Sequence, residues 1–347
     1  MPQSLKCAVF ALMLLSPCLP VASAQMQPAT PAANDARSIT LNVITSPSGP
    51  ASDSLTAADF QLLDNKAPRP FTSFRRVTIT DPVHVIVVVD TVNLPFTRVA
   101  YVRSEVQKFL KADGGHLAFP TTFAVISDKT TEVQQGFSTD GAALSNALEQ
   151  YPMSLREVRR DQGFWGADER TRISLKALDE LAAYSANLPG RKLILWVSPG
   201  WPLLTGTRIE LSNKQQQGIF RGIVNYSRQL RQNNITLYNI NPLGPEENLI
   251  AANYYENFVK GIRKASDTEI ADLSLQVLAA QSGGLTITSS SDVAGNIAKC
   301  IADTHSWFEL TFTSPPSEHP DEYHHVQVNV TKPGITARTR DGYYAQP

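Results

Sequence analysis

The sequence predicts an α/β protein in which a doubly wound, mostly parallel sheet is inserted between N- and C-terminal β segments that form a small β-sandwich. Three observations carry this expectation. Residues 83–89 are a run dense in β-branched side chains, ended by Asp90, as suits a strand covered on both faces. From there to Ala302, strand-like runs alternate with helix-spaced ones, the grammar of right-handed βαβ units. Residues 37–80 and 305–347 instead alternate polar and apolar; each stretch is undersized for its own core, and paired they reach an ordinary domain size.

In chain order, Lys6, an apolar run from Cys7 to Leu15, helix-breaking Pro17 and Pro20, and Ala22-Ser23-Ala24 read as a secretory signal peptide cleaved after Ala24. That address implies a secreted or periplasmic protein. Acylation of Cys18 fits badly, because Pro17 stands where a small residue is expected. Residues 25–36, rich in Pro, Ala and Gln, read as a linker. Ser38–Ile44, Phe60–Leu63 and Phe71–Ile79 have strand spacing. The insert, residues 81–304, begins with the strand that ends at Asp90. Expected next are a helix over 98–111, a strand over 122–127, a short edge strand over 131–137 and a helix over 140–150. A polar and aromatic loop over 152–170 and a helix over 172–188 precede a buried strand over 192–198. A helix over 214–233, a strand over 235–240, a helix over 268–282, a short strand over 285–288 and a helix through Ala302 complete the insert. Strands over 308–313, 325–331 and 335–340 close the chain.

Composition narrows the function. A net charge of −1 supplies no field for steering to nucleic acid, and 42% hydrophobic against 18% charged residues fits a folded globular chain. No apolar run is long enough to span a membrane. Of three cysteines, Cys7 and Cys18 leave with the leader; Cys300 is expected as a buried structural thiol, and neither a disulfide nor a Cys-x-x-Cys site is available.

Four stretches stand out together: Leu55–Asp64; Val85–Thr91; Leu188-Pro189-Gly190-Arg191-Lys192 through Ser198; and Val326–Val330 followed by Pro333-Gly334-Ile335, Arg338 and Gly342-Tyr343-Tyr344. In this order they resemble the von Willebrand factor A domain and, over nearly the whole mature chain, the VWFA-related proteins abundant in acidobacteria. The resemblance implies a von Willebrand A-like, Rossmann-like fold, export, and adhesion or protein binding rather than catalysis. It also implies a place to look for Mg²⁺ or Mn²⁺: an Asp-x-Ser-x-Ser turn after the first strand, a loop Thr, and an Asp after the fourth strand. A hard cation wants about six oxygens in octahedral array. Here the turn reads Asp90-Thr91-Val92-Asn93-Leu94, so Val92 and Leu94 replace the hydroxyls, and strand alternation would aim Thr91 and Asn93 away. Pro199 replaces the acidic member, and Thr171 is a loosely aligned loop threonine. The expectation is a degenerate site whose only ligand candidates are Asp90 and Thr171, with no cofactor bound and Mg²⁺ or Mn²⁺ as the alternative.

Other constellations carry less. Glu318–His325 gathers three histidines with carboxylates, but Pro316 and Pro320 mark it as a hairpin loop. Ser198 is not in a Gly-x-Ser-x-Gly elbow, no nucleotide-binding glycine pattern occurs, and Arg156, Arg159 and Arg160 have acidic neighbours. No catalytic residue is expected. Ligands of open α/β sheets bind at the carboxyl ends of the strands. The loops expected there carry Asn93, Phe164, Trp165, Trp201, Tyr254 and Tyr255, read either as exposed anchors for a protein partner or as a cover for the sheet end. The functional expectation is an exported, non-catalytic module that binds an unnamed protein through these loops. The alternative is an envelope scaffold assembled through the sandwich.

Overall fold

The computed structural model describes residues 37–78, 80–153, 163–202, 210–245 and 254–345. The expected leader, the linker and the basic cluster at Arg156–Arg160 lie outside them. The chain opens with β1 (Ser38–Ser46), a single turn α1 (Pro50–Asp53), β2 (Phe60–Asp64), β3 (Ala67–Arg69) and β4 (Ser73–Thr78). Then follow β5 (Val83–Asp90), α2 (Phe96–Lys111), β6 (His116–Ile126), β7 (Thr131–Val133), β8 (Ser138–Asp140), α3 (Gly141–Gln150) and α4 (Gly163–Ala186). The insert ends with β9 (Arg191–Val197), α5 (Asn213–Gln232), β10 (Ile235–Ile240), α6 (Leu275–Gln281), β11 (Thr286–Ile287) and α7 (Val293–Ala302). The last strands are β12 (Ser306–Thr313), β13 (Glu322–Val330), β14 (Thr336–Arg338) and β15 (Gly342–Ala345).

The central sheet runs β11-β10-β9-β5-β6-β7, parallel except that β7 and β8 lie antiparallel to β6. The order reverses between β5 and β9, so the crevice in which doubly wound sheets hold ligands opens where those two strands end. Every residue of β9 and all but one of β5 are buried. Alternation sends Val85, Val87 and Val89 into one core with α2, α3 and α7. Ile86 and Val88 go to the opposite core with α4, α5 and α6. Helix starts follow local chemistry: Asp140 accepts from the Ala143 N–H, Ser212 and Gln215 form a capping box, and Asp292 accepts from the Gly295 N–H.

Two antiparallel sheets, β14-β1-β12-β4 and β15-β13-β2-β3, each mix strands from both chain ends. β1 pairs with β12 from Ser38↔Thr313 to Ile44↔Trp307, and β2 pairs with β13. Their inner faces share one core containing Leu41, Phe60, Phe308, Phe312 and Val328. Within it the Asp64 carboxylate accepts from Tyr343 Oη at 2.9 Å and faces His324 Nδ1 at 2.7 Å. Asp64 belongs to the opening motif and Tyr343 to the closing one, so the two motifs meet in space. His324, assigned above to a surface loop, lies in β13 with its ring buried, while His325 points outward.

A second polar knot joins the sandwich to the insert. Arg191 stacks on Trp307 with 5.0 Å from guanidinium carbon to ring centre, and donates to the Asp303 carbonyl at 3.1 Å. Tyr238 Oη donates to Asp303 Oδ2 at 2.7 Å, and Arg338 binds the same oxygen and the Gly283 carbonyl. Lys192 is tied to the Leu188 and Gly190 carbonyls at 3.0 and 2.9 Å, and its burial lowers its pKa. The Gly190-Arg191-Lys192 and Arg338 motif residues therefore hold the junction.

Two element expectations are corrected. The loop assigned to 152–170 ends early, because α4 starts at Gly163; its first turns bury Gly166, Arg170, Thr171 and Ser174, small or polar groups that give no apolar periodicity. The helix assigned to 268–282 is broken. Asp272 caps a 3₁₀ turn (Ile270–Leu273) through the Glu269 N–H, and the extended Ser274 separates it from α6.

Candidate functional site

The site develops from the end of β5. Once the strand stops, the backbone of Thr91–Leu94 folds back in a turn, with the Leu94 N–H reaching the Asp90 carbonyl at 3.3 Å. Asp90 is fully buried. Its Oδ1 accepts the backbone N–H groups of Val92 at 3.1 Å and Asn93 at 3.0 Å. Its Oδ2 accepts Asn93 Nδ2 at 2.8 Å and the indole Nε1 of Trp196 at 3.0 Å. An ionised carboxylate has about four lone-pair positions, and four N–H donors occupy them. Asn93 Nδ2 also donates to Ser174 Oγ at 2.9 Å, which donates in turn to the Arg170 carbonyl at 2.8 Å.

The remaining positions of the A-domain metal pattern are committed elsewhere. Val92 and Leu94 are buried in opposite cores. Thr91 Oγ1 donates to the Ile126 carbonyl at 2.7 Å, and Thr171 Oγ1 to the Ala167 carbonyl of its own helix at 3.0 Å. At the end of β9, Ser198 Oγ accepts from the Gly200 N–H at 3.2 Å, and Pro199 carries no side-chain oxygen. Gly200 has φ +105°, open to glycine with little cost, and the backbone there approaches the Gln276 side chain closely. Among the described residues no three His, Cys, Asp or Glu side chains converge as a metal cage. The donor set does not fit Mg²⁺ or Mn²⁺, which need several free oxygens and release water reluctantly.

A scan of protein-family models finds no match, and no curated protein matches either. Solved structures that resemble the chain include the pilus adhesin SpaC from Lactobacillus rhamnosus GG, at 10% identity and TM-score 0.35, over 81% of this chain and 48% of that one. The chain thus spans about half the length of that adhesin. The manganese-loaded TRAP protein of Plasmodium vivax is similar at 7% identity and TM-score 0.32, over 78% of this chain and 96% of that one. The SpRpn10 VWA domain is similar at 12% identity and TM-score 0.27, over 63% and 95%.

Two of the residues singled out from the sequence, Asn93 and Trp201, are buried. Asn93 does not point away from Asp90; the turn breaks strand alternation and brings its amide onto the carboxylate, where it is buried. Trp201 is no exposed anchor. It is 3% exposed and packs edge-on against Trp196 at 5.5 Å, so it covers the sheet end. Tyr255 is half-buried beside Arg338 and Asp341, around a cavity of about 320 Å³. Tyr254 lies in a 3₁₀ turn (Tyr254–Asn257), and its side chain is outside the described residues.

Phe164 and Trp165 are exposed by 46% and 75%, with rings 5.8 Å apart and nearly perpendicular, on the first turn of α4. The sequence reading missed Phe96, 64% exposed where α2 leaves the end of β5. Both helices start at the carboxyl edge of the sheet, α2 packing into the core on one face and α4 into the core on the other, so the exposed aromatics lie toward that edge. It also missed Trp196 as the partner of Asp90. Strand parity carried that signal, since Val88 pairs with Trp196 and Asp90 is two residues further on the same face.

Proposed function

We propose that the chain is an exported, non-catalytic protein-interaction module of the VWFA-related type, which binds its partner at the carboxyl edge of the central sheet without a bridging metal. The carrying observation is a saturated Asp90 carboxylate at the same edge of the sheet toward which exposed Phe96, Phe164 and Trp165 lie. Monomer surfaces seldom leave large aromatics clustered in water, and such side chains are the usual anchors of protein interfaces. In an adhesion site, a partner carboxylate completes the shell of the bound ion. Here four neutral donors hold Asp90, and the contact surface is apolar. Export rests on the leader-like first 24 residues, and the absence of catalysis on the lack of any nucleophile–base pair near the crevice among the described residues.

Replacing Trp165 with a photo-crosslinking residue in the full chain, in its native host, is expected to yield one discrete protein adduct. The same residue at exposed Gln327 on the sandwich serves as the comparison. An adduct formed only from Gln327 would move binding to the sandwich and overturn the reading.

A further inference from the structure

The two ends of α4 are held differently. Ala177, Leu178, Leu181 and Ala182 enter the apolar core on one face of the sheet. No side chain of residues 163–172 enters any apolar core among the described residues. The groups buried there are Gly166, Arg170 and Thr171. Gly166 weakens a helix interior through its backbone freedom, and the Arg172–Asp168 ion pair lies at the surface, where such pairs stabilise little. Phe164 and Trp165 extend from this end into solvent. Two residues beyond it stands Ser174, fully buried. Its Oγ accepts Asn93 Nδ2 at 2.9 Å and donates to the Arg170 carbonyl at 2.8 Å. Asn93 Nδ2 also reaches Asp90 Oδ2 at 2.8 Å, so a buried polar chain ties the strand-end turn to α4. Segments with few buried apolar contacts open locally, at a free energy below that of global unfolding.

We propose that the first turns of α4, residues 163–174, open as a unit of their own, and that the Asp90–Asn93–Ser174 chain is the latch that holds them closed. Closed, the latch keeps Phe164 and Trp165 toward the carboxyl edge of the sheet; open, it releases them. Its value as a control on partner binding rests on the reading of those aromatics as the contact surface, whereas the opening itself does not. Ser174 acts in this scheme as a positioning residue, buried away from any partner.

Amide hydrogen exchange of the full chain, resolved by residue, tests this. In the unmutated protein, exchange at residues 167–172 should be faster than at 179–182. It should also be nearly independent of urea below the unfolding transition, because a local opening exposes little surface. Exchange at 179–182 should rise steeply with urea. Leu178→Ala empties a core site that stays packed when the latch opens. It should speed exchange at 179–182 by at least about thirtyfold and leave 167–172 unchanged. Ser174→Ala should speed 167–172 by at least about fivefold, through the lost hydrogen bonds and the stranded Asn93 N–H. A common urea slope for the two stretches, equal acceleration of both by Leu178→Ala, or unaltered exchange at 167–172 in Ser174→Ala would each overturn the proposal. The urea comparison needs no variant, so it stands if a variant fails to fold. None of these readouts involves a partner, so they hold or fail independently of the Trp165 adduct.

Discussion

Replacing Asp90 with asparagine separates a hydrogen-bonding role from a vestigial metal ligand by the sign of its effect. The asparagine oxygen still accepts the Val92 and Asn93 backbone N–H groups. Its amide nitrogen then faces Asn93 Nδ2 and Trp196 Nε1, donor against donor, in a fully buried site. Each stranded donor costs about 1–3 kcal/mol. Removing an anion from the interior returns part of that, leaving a net loss of about 2–4 kcal/mol. Equilibrium unfolding in urea, with EDTA present, should show the midpoint falling by about 1 M at unchanged slope. If Asp90 were an idle metal ligand, removing its uncompensated charge would leave stability unchanged or raise it. That result, together with a wild-type midpoint raised by Mg²⁺, would refute the reasoning.

Other outcomes follow from the same geometry. Titration of the purified protein with Mg²⁺ or Mn²⁺ should show no binding tighter than about millimolar, and calorimetry checks it. Trp165→Ala should change the melting temperature little, whereas Trp201→Ala should cost about 3–5 kcal/mol, because only the second empties a packed site. Gly190→Ala should destabilise by about 3 kcal/mol or more, measured by chemical unfolding: its φ is +70° and an added Cβ would stand 2.0 Å from the Pro82 carbonyl oxygen. Asp272 makes stability fall as pH rises. Between its unfolded value of 3.8 and about 7, the unfolded chain has released the proton that the folded chain retains. Asp272→Asn should remove that decline, and unfolding midpoints at pH 4, 5, 6 and 7 would show whether it does.

Much of the fold could be read from the chain. The β-branched run of β5 and the strand–helix alternation after it have few other solutions, because a strand so apolar must be covered twice. The entry of the terminal segments into shared sheets was readable from their size alone, since neither buries enough surface by itself. The start of α4 was not readable, because its first turns bury small and polar side chains. Nor was the break before α6, where one side-chain cap at Asp272 outweighs a good helical pattern.

By itself the sequence determined the local order of elements, the position of Asp90 at a strand end, and the lack of a side-chain oxygen at Val92, Leu94 and Pro199. These follow from side-chain chemistry and the two backbone periods, which act over a few residues. Only the tertiary structure decided what Asp90 does instead, because its fourth donor, Trp196, lies 106 residues away in sequence. It alone buried Trp201, exposed Phe96 and joined Asp64 to Tyr343. Which polar groups converge depends on how layers pack across the whole chain.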